Sequence, residues 1–277
     1  MPLTKPQTQV IKSKSRFRVL ITGRRFGKTF LAINELAKFA SQSNKKVWYI
    51  APTYRQAKQI CWNDLKDRLI QHRWVKKINN SDLTITLKNN SSITLRGADN
   101  EQSLRGVGLD FIVMDEFADV HKEAWYEVLR PTLSDTKGHA LFCGSPRGFG
   151  NWSYELFKQG ETNKDWASFK YTTLEGGQVD DNEIEQARQD LDIRTFQQEY
   201  EATFVNYSGM IYYNFNRQKN IVDKYNKDAG VLHIGLDFNV DPMSAVICLI
   251  VNEIIIVVDE IQIYSSNTQE MCEEIKI

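Results

Sequence analysis

The sequence predicts an α/β fold built on a mainly parallel, doubly wound sheet, followed by a second, smaller β-rich unit. Short apolar runs alternate with stretches of helical periodicity over residues 1–170, the runs end in glycine, proline or acidic turn residues, and the texture changes near Glu175. With 277 residues, 42% of them hydrophobic and 25% charged, the chain has ordinary globular composition. Its scattered cysteines (Cys61, Cys143, Cys248, Cys272) and histidines (His72, His121, His139, His233) form no CxxC or HxxxH spacing. Neither a disulfide framework nor a zinc site is therefore expected, and a reducing compartment suits the chain. No apolar stretch precedes Val10, and the run at residues 254–258 is far shorter than the roughly 20 residues that span a bilayer, so neither secretion nor membrane insertion is expected.

The elements follow in order. An apolar run at residues 19–21 leads into a loop, and Phe30, Ile33, Leu36, Ala37 and Ala40 recur at helical spacing, giving a helix over 29–39. Residues 47–51 form a second buried strand closed by Pro52, and residues 55–71 a second helix. Over 81–96, Leu83, Ile85 and Leu87 alternate with Thr84 and Thr86, and Asn89-Asn90 turns the chain into Ile93 and Leu95: a β-hairpin between the α/β units. Residues 111–114 and 140–143 are further buried strands, with a helical segment at 124–129 between them. An acidic helical stretch at 180–200 precedes a Gly/Asn/Tyr-rich linker at 206–216. Three strands follow, at 231–238, 243–251 and 253–263, and a helix starts near Thr268. The expected organisation is thus a core at 1–175, a helical segment and linker at 176–228, and a unit at 229–277. That last unit is too small for an independent core, so it reads as the opening of a longer domain.

The net charge of zero hides an asymmetry. Residues 1–80 hold 18 Lys/Arg against 3 Asp/Glu, residues 81–170 hold 10 against 13, and residues 171–277 hold 7 against 19. Clustered cations in the N-terminal third suit a phosphate-rich partner, and a solvated basic surface explains them equally well.

Gly27-Lys28-Thr29 stands between an apolar strand and a helix start, the context of a phosphate-binding loop. There, backbone N–H groups face phosphates, Lys28 meets the β/γ oxygens and the Thr29 hydroxyl holds Mg²⁺. The strict Gly-x4-Gly-Lys-Thr pattern fails, because Thr22 occupies the first glycine position. About ninety residues on, Phe111-Ile112-Val113-Met114 runs into Asp115-Glu116, so a buried strand delivers carboxylates at its C-terminal end, where α/β sheets bind ligands. Asp115 is expected to hold Mg²⁺ through water, and Glu116 to orient and deprotonate the attacking water. Gly144-Ser145-Pro146-Arg147-Gly148 follows the next strand, either with Ser145 beside a γ-phosphate or as a plain tight turn.

In combination these residues resemble the large terminase subunit of tailed double-stranded DNA phages, an ATP-driven motor that packages the genome. Thr22-Gly23-Arg24-Arg25-Phe26-Gly27-Lys28-Thr29 resembles that family's deviant phosphate loop, and Tyr49-Ile50-Ala51-Pro52-Thr53-Tyr54 its second conserved strand and turn. Leu104-Arg105-Gly106 with Val113-Met114-Asp115-Glu116 resembles its magnesium and base segment, and Gly144-Ser145-Pro146 its coupling motif. Phe196-Gln197-Gln198-Glu199-Tyr200 with Phe204 resembles the stretch that leads to a nuclease domain. The resemblance implies a RecA-like P-loop ATPase that uses ATP and Mg²⁺, in which Gly23 and Gly27 shape the loop. Arg24 would reach the γ-phosphate, and Gln7, or else Gln9, would read adenine. Arg105 would be either an arginine finger, for instance on a neighbouring subunit, or part of a structural salt bridge. Ser145 stands where threonine is common and keeps the hydroxyl.

His233-Ile234-Gly235-Leu236-Asp237-Phe238 resembles the first strand of the family's RNase H-like nuclease domain. The resemblance implies Asp237 as the first of several carboxylates around paired Mg²⁺ or Mn²⁺ ions. Asp259 and Glu260, at the end of the third strand, are candidates to lie close to it, and Asp241 reads as a turn residue before Pro242. The later acidic positions would fall beyond Ile277, so the chain is expected to be C-terminally truncated, a fragment or a decayed prophage gene, without nuclease activity. Implied partners are double-stranded DNA, the portal protein, the small terminase subunit and further copies of the chain in a ring, in the host bacterial cytoplasm and away from membranes. The competing readings are a helicase-like DNA-dependent ATPase and a vestigial DNA-binding protein without catalysis.

Overall fold

The computed structural model describes residues 2–205, 220–221, 225–226, 230–239 and 241–276. The linker expected at 206–216 lies outside the described residues. The chain forms two compact units, residues 1–210 and 211–277.

In the first unit, eight strands form one sheet in the order β3-β4-β5-β2-β6-β7-β1-β8. These are β1 (Phe17–Thr22), β2 (Lys46–Ala51), β3 (Val75–Asn79), β4 (Thr84–Leu87), β5 (Ser92–Gly97), β6 (Phe111–Asp115), β7 (His139–Gly144) and β8 (Trp166–Tyr171). From β5 to β8 all neighbours run parallel, while β3–β4 and β4–β5 are antiparallel. The expected hairpin is therefore no separate insertion: β5 pairs with β2 and extends the main sheet, and β3 adds an edge strand.

Successive residues of a strand point to opposite faces, so the aliphatic runs serve two cores at once. Leu20, Tyr49 and Val113 pack on one face with Leu31 and Leu36 of α2 (Lys28–Ala40). On the other face Ile21, Ile50 and Met114 pack with Trp125, Phe142 and Trp152. The second helix runs from Tyr54 to Gln71 but is interrupted by a π-helical turn at Lys58–Trp62. The segment at Ala124–Leu129 is also π-helical. The acidic stretch is two helices, Asp181–Asp190 and α3 (Ile193–Glu199), because Asp192 caps a new start by accepting from the amides of Arg194 and Thr195. Both precede residue 210 and belong to the first unit.

The second unit holds an antiparallel sheet of β9 (Leu232–Asp237), β10 (Met243–Val251) and β11 (Ile254–Ile263), with β10 in the middle, and the helix Thr268–Ile275. Its core is small: Met243, Ala245 and Met271 are buried together. Among the described residues no helix is long and apolar enough to cross a membrane.

Candidate active site

Strand order places the site. β7 lies between β6 and β1, so the loops after these three strands meet on one edge of the sheet. The loop after β1 turns through Arg25 (φ 60°) and Gly27 (φ 89°), left-handed conformations, and Gly27 opens α2. Thr22 is the last residue of β1, buried and paired with Tyr171 of β8, so the position needs no glycine, and its hydroxyl has no partner. Gly23 is required for a different reason than phosphate approach. A Cβ there would collide with Thr173 Oγ1 and stand 2.6 Å from the Tyr200 carbonyl oxygen.

Gln7 sits behind this loop on α1 (Lys5–Lys12), buried, with Nε2 donating to the carbonyls of Phe26 at 3.1 Å and Gly27 at 3.4 Å. Its Oε1 accepts from Thr4 N–H. The amide braces the loop from behind and lines neither of the two cavities in front of it. Gln9 accepts from the Tyr171 hydroxyl.

Facing the loop, Asp115 ends β6 fully buried, with Tyr49 Oη donating to Oδ2 and Glu116 N–H to Oδ1. Burial, helped by the neighbouring Glu116 charge, raises its carboxyl to about 6 against the opposing pull of Tyr49 and Lys28. Burial likewise pushes the Tyr49 hydroxyl and the Cys61 and Cys143 thiols up, so none of these ionises near neutrality. Glu116 adopts a left-handed conformation (φ 47°), which for a non-glycine residue stores strain. The adjacent Phe117 anchors it, packed edge-on against Phe142 and Trp152. Glu116 Oε1 lies 3.3 Å from Lys28 Nζ, and its Oε2 accepts from Ser145 N–H at 3.4 Å.

Two further arginines border this centre. Arg24 pairs with Glu199 of α3, whose other oxygen accepts from Gln198. Burial works to raise the Glu199 carboxyl, but the bonds from Arg24 and Gln198 outweigh it and hold it low; the same bond raises Arg24. Arg147 forms a two-pronged pair with Asp119, Nε to Oδ1 at 3.0 Å and Nη2 to Oδ2 at 2.9 Å. A cavity of about 1070 Å³ opens over Gly27, Lys28, Thr29, Asp115 and Glu116, and Ile60 of the π-helical turn also lines it. A smaller one, about 310 Å³, is lined by Arg24, Lys28, Glu116, Ser145 and Arg147 among others.

The structure thus brings together Arg24, Gly27, Lys28, Thr29, Asp115, Glu116 and Ser145, with Gly23 beside them and Gln7 behind. Arg105 follows a short 3₁₀ turn, is exposed, lines neither cavity, and has no side-chain ion pair among the described residues. Asp237 ends β9 in the other unit, on the sheet face of Ser244. Glu260 pairs with Val246 and shares that face, but two strands and two register steps place it roughly 12 Å from Asp237. Asp259 pairs with Ile247 on the opposite face, so it is not the neighbour the sequence suggested. Among the described residues no group of three or more His, Cys, Asp or Glu side chains could hold a metal by itself. Sequence reasoning misses Asp119, Arg147 and Glu199 as site residues. Arg147 stands inside a quoted motif, and no local signal links the two carboxylates to their arginines. Tyr49 does carry one, an aromatic hydroxyl in an otherwise apolar buried run that must find a partner.

Residues 19–219 match the family described as "Terminase large subunit, T4likevirus-type, N-terminal". The terminase large subunit of Escherichia phage T5 is 34% identical over 227 residues, covering 79% of this chain and 51% of that protein. The chain spans about half the length of the relatives it matches. The solved large terminase ATPase domain of Thermus phage P74-26 superposes with a TM-score of 0.65 at 26% identity, over 74% of this chain and 94% of that one. The large terminase of another thermophilic bacteriophage, solved in complex with ADP, shares the fold with a TM-score of 0.66 at 18% identity, over 99% of this chain and 73% of that one.

Proposed function

This chain belongs to the terminase large-subunit family, and on that premise we propose that it is the ATP-hydrolysing motor that packages double-stranded DNA into a phage procapsid. The observation that carries the proposal is the meeting of Lys28 and Glu116, 3.3 Å apart, over a cavity that also holds Thr29 and Asp115. A triphosphate laid along residues 23–29 gives Lys28 a stronger anionic partner than one carboxylate. Lys28 then moves to the β/γ oxygens, and Glu116 is free to take a proton from the attacking water. Arg24 moves from Glu199 toward the γ-phosphate, where guanidinium donors stabilise the charge that spreads over its oxygens.

The Thr29 hydroxyl and the Asp115 carboxylate are hard oxygen donors at one end of the cavity, a set that fits Mg²⁺. Bound there with ATP, Mg²⁺ would supply charge neutralisation for the phosphates. Gln7 acts on the nucleotide through the loop it braces. Ser145, joined to Glu116 through its amide, reports loss of the γ-phosphate to the rest of the fold.

The second unit is proposed to open an RNase H-like nuclease domain. Its three antiparallel strands followed by a helix support this, and Asp237 would be the first ligand for Mg²⁺ or Mn²⁺. Exposed Arg105 suits a finger offered to a neighbouring copy in a ring. Portal protein, small terminase subunit, DNA and the bacterial cytoplasm complete the proposed setting.

The test is Mg²⁺-dependent ATP turnover by the chain and its Glu116→Gln variant, with and without linear double-stranded DNA. Removal of the base should cost about 10²–10⁴-fold in turnover while ATP binding persists. Wild-type turnover in Glu116→Gln would show that the assigned base is wrong.

A further inference from the structure

We propose that Arg147 is a second phosphate-binding arginine of this site, paired with Asp119 here and passing to the terminal phosphate of a bound nucleoside triphosphate. The inference rests on the nucleotide-hydrolysis reading above and adds a residue to it.

Three cation–carboxylate pairs, Lys28–Glu116, Arg24–Glu199 and Arg147–Asp119, meet in the smaller cavity around Ser145. Such alternation suits a polyanion site, in which each carboxylate holds a cation near the place a phosphate oxygen would take. The Arg147 fork already makes a planar, two-pronged contact with Asp119, and the same fork geometry accepts two phosphate oxygens. Both side chains are about two-fifths exposed (40% and 44%), and pairs in that setting are weak and easily exchanged. Arg18–Glu35, fully buried elsewhere in the unit, has no such freedom. The bond from Asp119 chiefly raises the Arg147 pKa, and the Glu199 and Glu116 charges add to it, so the guanidinium also feels the carboxylates of the centre.

Position strengthens the argument. Arg147 lies two residues beyond Ser145, and Asp119 three residues beyond Glu116. A triphosphate that draws Lys28 from Glu116 and Arg147 from Asp119 therefore loosens two of the ties on the segment after β6, one from the start of α2 and one from the loop after β7. The site then has a γ-phosphate arginine from its own chain in addition to Arg24, independent of any residue donated by a neighbour.

Because the Arg147–Asp119 pair also ties two loops together, a purely structural clamp has to be distinguished. Loss of either partner breaks a clamp equally, whereas only loss of the arginine removes a phosphate ligand. The experiment measures affinities of fluorescent ATPγS and fluorescent ADP, with Mg²⁺, for the whole chain and its Arg147→Ala, Arg147→Lys and Asp119→Ala variants. Arg147→Ala should weaken ATPγS by about tenfold and leave ADP nearly unchanged, with Arg147→Lys in between. Asp119→Ala should retain or improve ATPγS affinity. Equal losses in Arg147→Ala and Asp119→Ala, or an unchanged ATPγS-to-ADP ratio in Arg147→Ala, overturn this inference alone. Binding of neither nucleotide by the unsubstituted chain overturns the hydrolysis reading and this inference with it.

Discussion

At Asp115, chemistry and stability pull in opposite directions. Its carboxyl rises from 3.8 to about 6 because burial disfavours the charged form. Below the lower value both folded and unfolded states carry the proton; above the higher value both have lost it, and the folded state bears the full cost of a buried charge. Stability therefore falls as pH rises from about 4 to about 6, by up to about 3 kcal/mol at 1.36 kcal/mol per pKa unit. Asp115→Asn should accordingly unfold at higher temperature than the parent at pH 7.5, without nucleotide or divalent cation, and lose that advantage below about pH 4. Equal melting temperatures at both pH values would mean that Asp115 is not held at a cost. The same variant should lose ATP turnover, since the carboxylate is removed. Lys28, Thr29, Asp115 and Glu116 are legible because each sits in a short run whose context announces it: a strand end, a glycine, a helix start. The carboxylates that pair with Arg24 and Arg147 are not. Glu199 is 175 residues from Arg24, and only the docking of α3 against the loop brings them together.

Among the elements, β1 and α2 are joined by the fully buried Arg18–Glu35 pair, with Arg18 Nη1 also donating to the Val10 carbonyl at 3.0 Å and Lys38 reaching Glu35 at 3.2 Å. This clamp spans the two elements that flank residues 23–27 and ties α1 to them. Removing one partner of a buried pair strands the other, so Glu35→Ala should destabilise the chain by about 3–5 kcal/mol in urea unfolding. Replacing both partners, Arg18→Met with Glu35→Leu, should recover most of that loss. A Glu35→Ala cost below about 1 kcal/mol would remove the pair from any role in holding the loop's flanks. The elements legible in advance are those buried on both faces, such as β2 and β6, and those with a clean apolar stripe, such as α2. Strands β3 and β8 escape notice because they are edge strands: β3 exposes Lys76 and Lys77, and β8 has no residue classed as buried. With no fully buried residue the period-2 pattern is blurred, even though Phe169 and Tyr171 of β8 pack against one side of the core. Helix α1 does carry a local signal, since Thr4 and Gln7 form a capping box, but it is only two turns long.

On the scale of the whole molecule, the two units differ in how well they are built. The residues lining both candidate cavities lie between Arg24 and Tyr200, inside a unit with an apolar core on each face of its sheet. The second unit buries Met243, Ala245 and Met271 together and leaves Ile254, Ile255 and Val257 more than 60% exposed. Ile255 and Val257 share one face of β11 and Ile254 lies on the other, so both faces of this small sheet carry large exposed aliphatic side chains of the kind that bind partners or drive association. Nucleotide affinity should therefore reside in the first unit, and surface stickiness in the second. A chain ending at Val205 should bind fluorescent ATPγS within about twofold of the full chain, a difference of about 0.4 kcal/mol. It should also bind far less of an apolar dye such as ANS and remain monomeric at concentrations where the full chain associates. Retained affinity with reduced dye binding would assign the two properties to separate units. A loss of affinity greater than about tenfold would show that residues after Val205 help to form the nucleotide site, and the assignment of that site to the first unit would have to be withdrawn.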